Sequence, residues 1–512
     1  MLLVSDVPRL NADKVPNKTA IVFKEAKLTW REVEDQSNSF ANALLDLDLV
    51  KGDAVGLLAR NCHQWVLAYF GLVKAGCIVV PINFRLSGQE VVVLLRHCEV
   101  KAVIAALDFQ DLVDSIKPSL STARHFIAFG ENVHSGWLSF EKLLAGYPPV
   151  SLEAGISEDD LLSIIYTSGT TGTPKGVMHT HRSFLFNALQ QALYLDRKED
   201  DIALIVAALS HSSGLQGAFM PVACVTGTSV LMDHFDAEVF MQIIEVQRIT
   251  TFIGFPLMFR SLCRLPDFDR YDISSLRNIE VSGAVLPVPD FKEAMTRLKV
   301  DFFHALSSVE AGLYTSLNPE EQWRKVGSVG RPFFGVEVKI VDDQGQQLAT
   351  GELGEIVVRG DNLMKGYYRL PEQTKEALDE QGWHHTGDLG KKDEEGFLYV
   401  GGRKKDMIKC GGESIYPEEI ESVLVCHPKV LEAAVIGIPH ESLVEAIHAV
   451  VVLKPEQKCN EEDIITFCKQ RLGSYKKPAS VEFVEFLPRN PSGAKILKSM
   501  LRDKYWKVKV GA

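Results

Sequence analysis

The chain has 512 residues, of which 46% are hydrophobic, so it can form a large core and more than one domain. Its formal net charge of −12 argues against nucleic acid as a partner. The nine cysteines form no CxxC pair, which argues against a zinc site and a disulfide framework. The N-terminus lacks a secretory signal pattern, and apolar runs such as 202–209 are too short to span a bilayer. We therefore expect a cytoplasmic protein with no membrane span.

Strand-like and helix-like segments alternate from the start of the chain. Thr29 and Glu32 have capping-box spacing, and Val33, Phe40 and Leu44 would share one face of the helix that follows. The next segments are predicted as strands at 53–59, 77–81 and 102–106 and as helices at 64–75 and 90–97. This alternation predicts doubly wound parallel sheets covered by helices.

The composition changes at 398–412, LYVGGRKKDMIKCGG, where a basic cluster lies between two Gly-Gly pairs. This pattern predicts a hinge. The segments beyond it are predicted as helices at 417–425 and after the cap residue Asn460, and as strands at 430–438, 446–453 and 481–486. We therefore predict an N-terminal domain over 1–402 and a small α+β C-terminal domain over 403–512.

Residues 164–181, IIYTSGTTGTPKGVMHTH, follow a predicted strand at 161–166 and precede a predicted helix from about Arg182. The segment is not a Walker A loop, because Lys175 is preceded by proline and followed by glycine. Its hydroxyls and glycine amides nevertheless suit phosphate, although an ordinary polar surface loop is the alternative. The candidate phosphate-binding residues are Thr167, Ser168, Gly169, Thr170, Thr171, Gly172 and Lys175.

The string YTSGTTGTPKGV, residues 166–177, resembles the signature loop of the adenylate-forming superfamily. That superfamily includes acyl- and aryl-CoA ligases, peptide-synthetase adenylation domains and beetle luciferases. Other motifs follow in the family's order from about Leu28 to about Lys498, so the resemblance covers nearly the whole chain. It implies an α/β fold with a β-barrel. The large N-terminal domain would hold two αβ-sheet subdomains and the barrel, and the small α+β C-terminal domain would be mobile.

Two motifs resemble the family's substrate-facing segments. LSHSSG, 209–214, is similar to the segment that lines the acyl pocket, which implies a catalytic role for His211. A single histidine after a strand is otherwise more often structural. SGAVLP, 282–287, is similar to the segment that packs on adenine, which implies Gly283 and Ala284 as nucleotide contacts.

FFHALSSVEAG, 302–312, falls where the family has an aromatic-Gly-x-Thr-Glu motif. The resemblance implies Glu310 as a catalytic residue and Mg²⁺ ligand, with Leu306, Ser307 and Ser308 beside the nucleotide. Leu306 replaces the aromatic residue, Ser307 replaces glycine and Val309 replaces threonine. Valine cannot donate a hydrogen bond to a phosphate oxygen, which would weaken the nucleotide site by about 1–3 kcal/mol.

HTGD, 385–388, and GRKKD, 402–406, resemble the family's ribose and hinge motifs. The resemblance implies that Asp388 and Arg403 hold the ribose and that Lys405 is the pivot. A carboxylate suits two vicinal hydroxyls, because each oxygen accepts one hydrogen bond. On charge alone, GRKKD would be a solvated basic turn. KCGGE, 409–413, resembles the loop that meets the active site after rotation of the small domain.

NPSGAKILK, 490–498, resembles the motif that carries the family's catalytic lysine. Ala494 stands between Gly493 and Lys495, where the family usually has Gly-Lys. Lys495 is the candidate, and a register shift would favour Lys498 instead.

The resemblance implies ATP-dependent activation of a fatty or aromatic carboxylic acid through acyl-AMP, followed by transfer to coenzyme A. ATP, Mg²⁺ and coenzyme A would be required, the partner would be the small-molecule acid, and a homodimer is left open. One alternative is a stand-alone enzyme that loads a carrier-protein thiol, and another is a weakly active nucleotide-binding relative. The acid's tail should be uncharged, because the pocket candidates are mostly small or apolar, namely His211, Ser212, Gly214, Phe255, Gly283 and Leu306.

Overall fold

A computed structural model describes residues 2–167, 174–283, 286, 288–410, 413–440, 442–489 and 496–506. The strands, in chain order, are β1 Thr19–Phe23, β2 Ala26–Thr29, β3 Ala54–Leu58, β4 Ile78–Pro81, β5 Ala102–Ala106, β6 His125–Phe129, β7 Leu138–Ser139, β8 Leu161–Thr167, β9 Lys175–Thr180, β10 Ile202–Ile205, β11 Thr228–Leu231, β12 Thr251–Gly254, β13 Asn278–Val281, β14 Asp301–Ser308, β15 Gly312–Leu317, β16 Arg331–Pro332, β17 Val336–Val341, β18 Gly354–Gly360, β19 Gly366–Tyr367, β20 His384–Lys392, β21 Leu398–Arg403, β22 Ile408–Cys410, β23 Glu413–Ile415, β24 Val430–His440, β25 Val444–Leu453 and β26 Ser480–Phe483.

The α-helices of the described residues, in chain order, are α1 Asp6–Lys14, α2 Trp30–Asp46, α3 His63–Lys74, α4 Gly88–His97, α5 Gln110–Ile116, α6 Phe140–Gly146, α7 His181–Tyr194, α8 Met220–Cys224, α9 Ala237–Gln247, α10 Pro256–Cys263, α11 Val288–Leu298, α12 Pro371–Ala377, α13 Pro417–Leu424, α14 Glu461–Lys469 and α15 Lys498–Trp506. No helix in these stretches is long and apolar enough to cross a membrane.

Two large sheets form most of the molecule. One has the strand order β16-β15-β14-β13-β12-β10-β11-β1-β2 and is parallel from β14 to β1. The other has the order β19-β9-β8-β4-β3-β5-β6-β7 and is parallel from β8 to β7. Antiparallel strands extend both sheets at their edges. The predicted α/β class with two helix-covered sheets is therefore confirmed.

Helix α3 holds the two large sheets together. Every residue of α3 from Trp65 onward is buried, including Tyr69 and Phe70. A helix that is apolar on all sides must lie inside the protein. One continuous core contains these residues together with Ile21 of one sheet and Val55 of the other.

A four-stranded antiparallel sheet, β17-β18-β20-β21, packs beside the first large sheet. Its first and last strands are not hydrogen-bonded to each other, so among the described residues this sheet is not closed. The β-barrel therefore stays a prediction.

The C-terminal unit has the sheet β23-β22-β25-β24, with β26 parallel to β25, and the helices α13, α14 and α15. The predicted helix at 417–425 and the strands at 430–438 and 446–453 agree with α13, β24 and β25. Asn460 caps α14 through the backbone N–H of Asp463, as predicted. The strand predicted at 481–486 is shorter and ends at Phe483.

Candidate active site

The threonine-rich loop connects two antiparallel strands. Thr167, the last residue of β8, lies opposite Lys175, the first residue of β9, and its Oγ1 donates to the Lys175 carbonyl at 3.5 Å. The candidates Ser168, Gly169, Thr170, Thr171 and Gly172 lie outside the described residues. Strand β9 itself was not predicted, since the sequence indicated only a helix from about residue 182.

Lys175 belongs to a cluster with Glu310, and a tyrosine joins them. The Lys175 Nζ lies 4.7 Å from the centre of the Tyr367 ring, and the Tyr367 hydroxyl donates to the Glu310 Oε1 at 2.9 Å. Burial raises the pKa of Tyr367, so its proton stays available for this bond. Strand β19, which carries Tyr367, pairs with β9 and so fixes the ring beside Lys175. Nothing in the sequence distinguished Tyr367 from other aromatic residues.

The turn that carries Glu310 is held from both sides. It connects β14 to β15. The His179 Nε2 donates to the Val309 carbonyl at 2.8 Å, and the Met364 N–H donates to the Glu310 carbonyl at 2.7 Å. Burial lowers the pKa of His179 to about 4, so the ring is neutral and acts here as a hydrogen-bond donor. These two bonds set the position of the Glu310 carboxylate.

The four residues before Glu310 have different surroundings. Leu306 is partly buried against the apolar core around β15 and β17. Ser308 accepts a hydrogen bond at 3.0 Å from the N–H of Ala311. Ser307 is exposed. Val309, at the family's threonine position, packs against an apolar group formed by Val177, Met364 and Tyr367.

Asp388 and Arg403 lie opposite each other on the paired strands β20 and β21. The Arg403 Nε is 2.5 Å from the Asp388 Oδ1, and Asp388 is buried with 7% exposure. Gly402 has φ of +123°, a backbone conformation that favours glycine. Lys405 follows in a 3₁₀ turn, Lys404–Asp406. The structure thus brings together the two predicted ribose residues at the start of the predicted hinge.

His211 precedes a π-helix, Ser213–Phe219, and its Nδ1 lies 3.0 Å from the Ser213 Oγ. Burial lowers the pKa of His211, so the ring is neutral near pH 7. Within the π-helix, a Cβ on Gly214 would lie 2.1 Å from the carbonyl oxygen of Ala208. Single-turn π segments occur frequently at functional sites.

The other predicted pocket and nucleotide residues flank this region. Phe255 precedes α10 and is partly buried against the core beneath that helix. Gly283, with φ of +80°, follows the buried Ser282. Ala284 lies outside the described residues.

Lys498 is bound within the C-terminal unit. Its Nζ lies 3.1 Å from the Glu418 Oε1 and 2.8 Å from the Glu421 Oε1. Burial disfavours the charge, but the two carboxylates outweigh it and raise the pKa of Lys498. Lys495 and Ala494 lie outside the described residues, as do residues 411 and 412 of the KCGGE motif.

An ion-pair network joins the C-terminal unit to the larger part of the molecule. Arg260 of α10 pairs through Nε with Asp290 at 2.6 Å and through Nη1 with Glu432 of β24 at 3.2 Å. The Arg489 Nη2 lies 2.6 Å from the same Glu432 oxygen. All four side chains are at least three-quarters buried.

The described residues contain no group of three or more His, Cys, Asp or Glu side chains that could hold a metal ion alone. Glu310 nevertheless suits Mg²⁺, which is usually held by one or two carboxylates together with substrate phosphates. Its Oε1 accepts the Tyr367 hydrogen bond, and the side chain is half-buried rather than enclosed.

Comparison with known proteins identifies the family. Residues 9–368 match the family described as AMP-binding enzyme, and residues 419–494 match the AMP-binding enzyme C-terminal domain. This chain belongs to the AMP-binding enzyme family. The predicted resemblance is therefore confirmed.

Within the AMP-binding enzymes, the chain is 34% identical to a 3-[(3aS,4S,7aS)-7a-methyl-1,5-dioxo-octahydro-1H-inden-4-yl]propanoyl:CoA ligase of Rhodococcus jostii, over 95% of each chain. It is also 34% identical to a long-chain-fatty-acid–CoA ligase of Mycobacterium tuberculosis, covering 97% of this chain and 96% of the relative. Among solved structures, it is similar to the anthranilate CoA ligase AuaEII in complex with anthranoyl-AMP, with a TM-score of 0.93 and 31% identity over 99% of this chain and 98% of that one. The chain is an AMP-forming acid–thiol ligase, an acyl-CoA synthetase, and the predicted activity is confirmed.

Proposed function

We propose that this acyl-CoA synthetase carries out both half-reactions at the site around Glu310, with Mg²⁺ bound there and coenzyme A as the thiol. The proposal rests mainly on two polar clusters, Lys175–Tyr367–Glu310 and Asp388–Arg403. In the first cluster, Lys175 would bind the phosphates of ATP and Glu310 would bind Mg²⁺. In the second, the carboxylate of Asp388 and the guanidinium of Arg403 would hold the ribose.

The chemistry explains why these groups are needed. A carboxylate is a poor acyl donor because oxide is a poor leaving group, and joining it to AMP supplies a better one. The carboxylate attacks the α-phosphorus of ATP in line, the bond to pyrophosphate breaks, and negative charge develops on the phosphoryl oxygens. Catalysis therefore depends on positioning and on cationic stabilisation.

In this proposal the Thr167–Lys175 loop holds the β- and γ-phosphates, and Glu310 holds Mg²⁺, whose charge offsets that of the phosphates. Asp388 accepts hydrogen bonds from the ribose hydroxyls, and Arg403 fixes the carboxylate of Asp388. The remaining nucleotide contacts are proposed for Gly283, Ala284, Leu306, Ser307 and Ser308.

We assign the arrangement of the two units here to acyl-AMP formation. Arg489 directly precedes the segment 490–495, which carries the proposed catalytic Lys495. The network through Glu432 ties Arg489 to Arg260, and α10, which carries Arg260, begins directly after the pocket candidate Phe255. These contacts hold Arg489, the last described residue before the proposed Lys495, beside the helix that follows the pocket candidate Phe255. The Lys498 ammonium is already paired with two glutamates. We therefore favour Lys495 as the lysine that contacts the α-phosphate.

Coenzyme A would then attack the acyl adenylate after the small domain, 403–512, has rotated about Lys405. The domain boundary after residue 402 is supported by the end of β21 at Arg403 and by the 3₁₀ turn that follows it. Fatty and aromatic acids both remain open as substrates, since relatives of both kinds are similar to this chain. A cytoplasmic location, a homodimer and the barrel remain predictions from the sequence.

The test is a pyrophosphate-release assay with ATP, Mg²⁺ and a panel of carboxylic acids, followed by addition of coenzyme A. We expect acid-dependent pyrophosphate release and then acyl-CoA and AMP. Acid-dependent pyrophosphate with no acyl-CoA would favour a carrier-protein thiol as the acceptor. No acid-dependent pyrophosphate with any acid would overturn the proposal.

A further inference from the structure

A small cavity of about 20 Å³ lies beside the π-helix, next to the site described above. Ser212, which follows His211, lines one side, and Ser307 and Ser308 line another. The cavity therefore lies between the predicted acyl-pocket segment and the strand that leads to Glu310. This is where the tail of a bound acid would extend from the reacting carboxylate.

Part of the wall of this cavity is polar and buried, which the sequence did not predict. Gln191, Gln216 and Glu280 line it, and each is 1% exposed. Among the described residues, three acceptor atoms receive no hydrogen bond, namely the Gln191 Oε1, the Gln216 Oε1 and the Glu280 Oε2. One donor, the Gln216 Nε2, also has no partner in the same part of the chain.

Buried polar groups are nearly always hydrogen-bonded, because leaving one unpaired destabilises the fold. Three side chains with unpaired atoms around one cavity therefore indicate that this wall hydrogen-bonds a polar group, either a water molecule or part of a ligand. The Gln191 Oε1 and the Gln216 Oε1 are acceptors whatever the protonation of Glu280, so the missing partner is one that donates hydrogen bonds.

The charges around the cavity favour an uncharged donor over a cation. Glu280 already has a counter-charge, because the Arg197 Nη2 lies 3.7 Å from its Oε2. Arg197 is itself buried and donates to Asn278 at 2.7 Å and to Thr251. An added ammonium group would leave one net positive charge buried. Burial also raises the pKa of Glu280 to about 7, which limits its value as a partner for a cation.

The size of the cavity limits the group that enters it. A space of about 20 Å³ is close to the minimum of about 10–15 Å³ that admits one water molecule. A hydroxyl or an amino group fits such a space, whereas a long alkyl chain does not.

We propose that the acid activated by this enzyme is a compact one whose tail ends in an uncharged hydrogen-bond donor, a hydroxyl or an aromatic amino group, bound by Gln191, Gln216 and Glu280. This substrate class rests on the proposed function, because we assume that the cavity forms the far end of the acyl pocket. The donor would occupy the cavity against the polar wall, and the rest of the acid would lie outside it.

The first test compares wild-type enzyme on acids matched in size, with pyrophosphate release as the readout. The probes are the isomers of hydroxybenzoate, aminobenzoate and methylbenzoate, together with short alkanoic acids, their ω-hydroxy and ω-ammonium forms, and hexadecanoate. We expect a hydroxy or aromatic amino acid of this panel to exceed its methyl counterpart by at least about a hundredfold in kcat/KM, since sites built for a hydrogen bond strongly reject analogues that lack it.

The outcomes separate this inference from the proposed function. If methylbenzoates, alkanoic acids or ω-ammonium acids are activated as well as the hydroxy and amino acids, or better, the inference is wrong and the ligase activity stands. If no acid gives pyrophosphate, the proposed function fails and the inference fails with it.

The second test uses Gln216→Leu, which removes both unpaired amide atoms at nearly constant volume. We expect kcat/KM for the preferred acid to fall at least about tenfold, while the methyl counterpart is unchanged or improved. Gln322→Leu is the matched control, because Gln322 is also buried and both of its amide atoms lack partners within the described residues, yet it does not line the cavity. Equal losses for all acids in a folded Gln216→Leu protein would contradict the assignment.

Discussion

Lys405→Pro should separate the two half-reactions. Lys405 is the middle residue of the 3₁₀ turn Lys404–Asp406, directly after the strand that ends at Arg403. Backbone φ in a 3₁₀ turn is about −50° to −70°, and proline holds φ near about −65°. The present arrangement should therefore tolerate the substitution, and we expect acyl-AMP formation at a near-normal rate.

Lys405→Pro should slow the second half-reaction, in which coenzyme A forms the thioester. Rotation of the small domain requires a large change of backbone angles at a few residues, and we place that change at Lys405. Forcing proline into an incompatible backbone costs about 3 kcal/mol, which corresponds to a rate loss of more than about a hundredfold. Proline also disfavours the helical geometry of Lys404, so a loss of about 1 kcal/mol in unfolding free energy is expected.

The assay measures each half-reaction alone, acyl-AMP formation by pyrophosphate release and thioester formation from supplied acyl-AMP and coenzyme A. Lys405→Ala is the control, since it removes the same side chain and keeps the backbone free. Equal loss in both half-reactions, or no loss in either, in a folded Lys405→Pro protein would refute rotation about this residue.

Four further variants test the other assignments. Lys495→Ala should slow acyl-AMP formation by about a thousandfold, because it removes charge stabilisation in the transition state, whereas Lys498→Ala should mainly destabilise the C-terminal unit. Tyr367→Phe should lower kcat/KM for ATP about tenfold and raise the Mg²⁺ requirement, because Glu310 loses a hydrogen bond worth about 1.5 kcal/mol. Glu432→Gln should slow acyl-AMP formation about fivefold, since a partly buried ion pair between the units is worth about 1 kcal/mol, and it should spare thioester formation from supplied acyl-AMP.

Each of these variants has a control or a contrary outcome. Tyr368→Phe removes the neighbouring phenol and should leave the Mg²⁺ requirement unchanged. Asp290→Asn removes a partner of Arg260 that does not cross between the units, so it should affect acyl-AMP formation less than Glu432→Gln. A folded Lys498→Ala protein that has lost acyl-AMP formation would show that the catalytic lysine was misassigned.

Local patterns in the sequence predicted much of the fold. The capping box of Thr29 and Glu32 is present at the start of α2, and the apolar run at 53–59 became the buried strand β3. Such features depend on neighbours within a few residues, so short-range spacing is sufficient to predict them. The adjacency of Asp388 and Arg403 followed from the family resemblance rather than from spacing.

Features built from distant segments were not predictable. Tyr367 reaches Glu310 across 57 residues, and Arg260 reaches Glu432 across 172. The predicted pocket was mostly small or apolar, yet the cavity beside the π-helix is lined by Gln216 and Glu280, which are distant in the sequence. In each case the sequence shows the residue type but not its partner, because tertiary packing decides the contact.

The central claim is that the acid's carboxylate attacks the α-phosphorus of ATP and that coenzyme A then displaces AMP. The most direct measurement supplies an acid whose carboxylate carries a heavy oxygen isotope, together with ATP, Mg²⁺ and coenzyme A, and follows the label by mass spectrometry. The bond formed in the first step places one acid oxygen on phosphorus, and thioester formation leaves that oxygen with the nucleotide. We predict one labelled oxygen in each AMP and none in pyrophosphate. AMP without label, or label in pyrophosphate or inorganic phosphate, would contradict the mechanism.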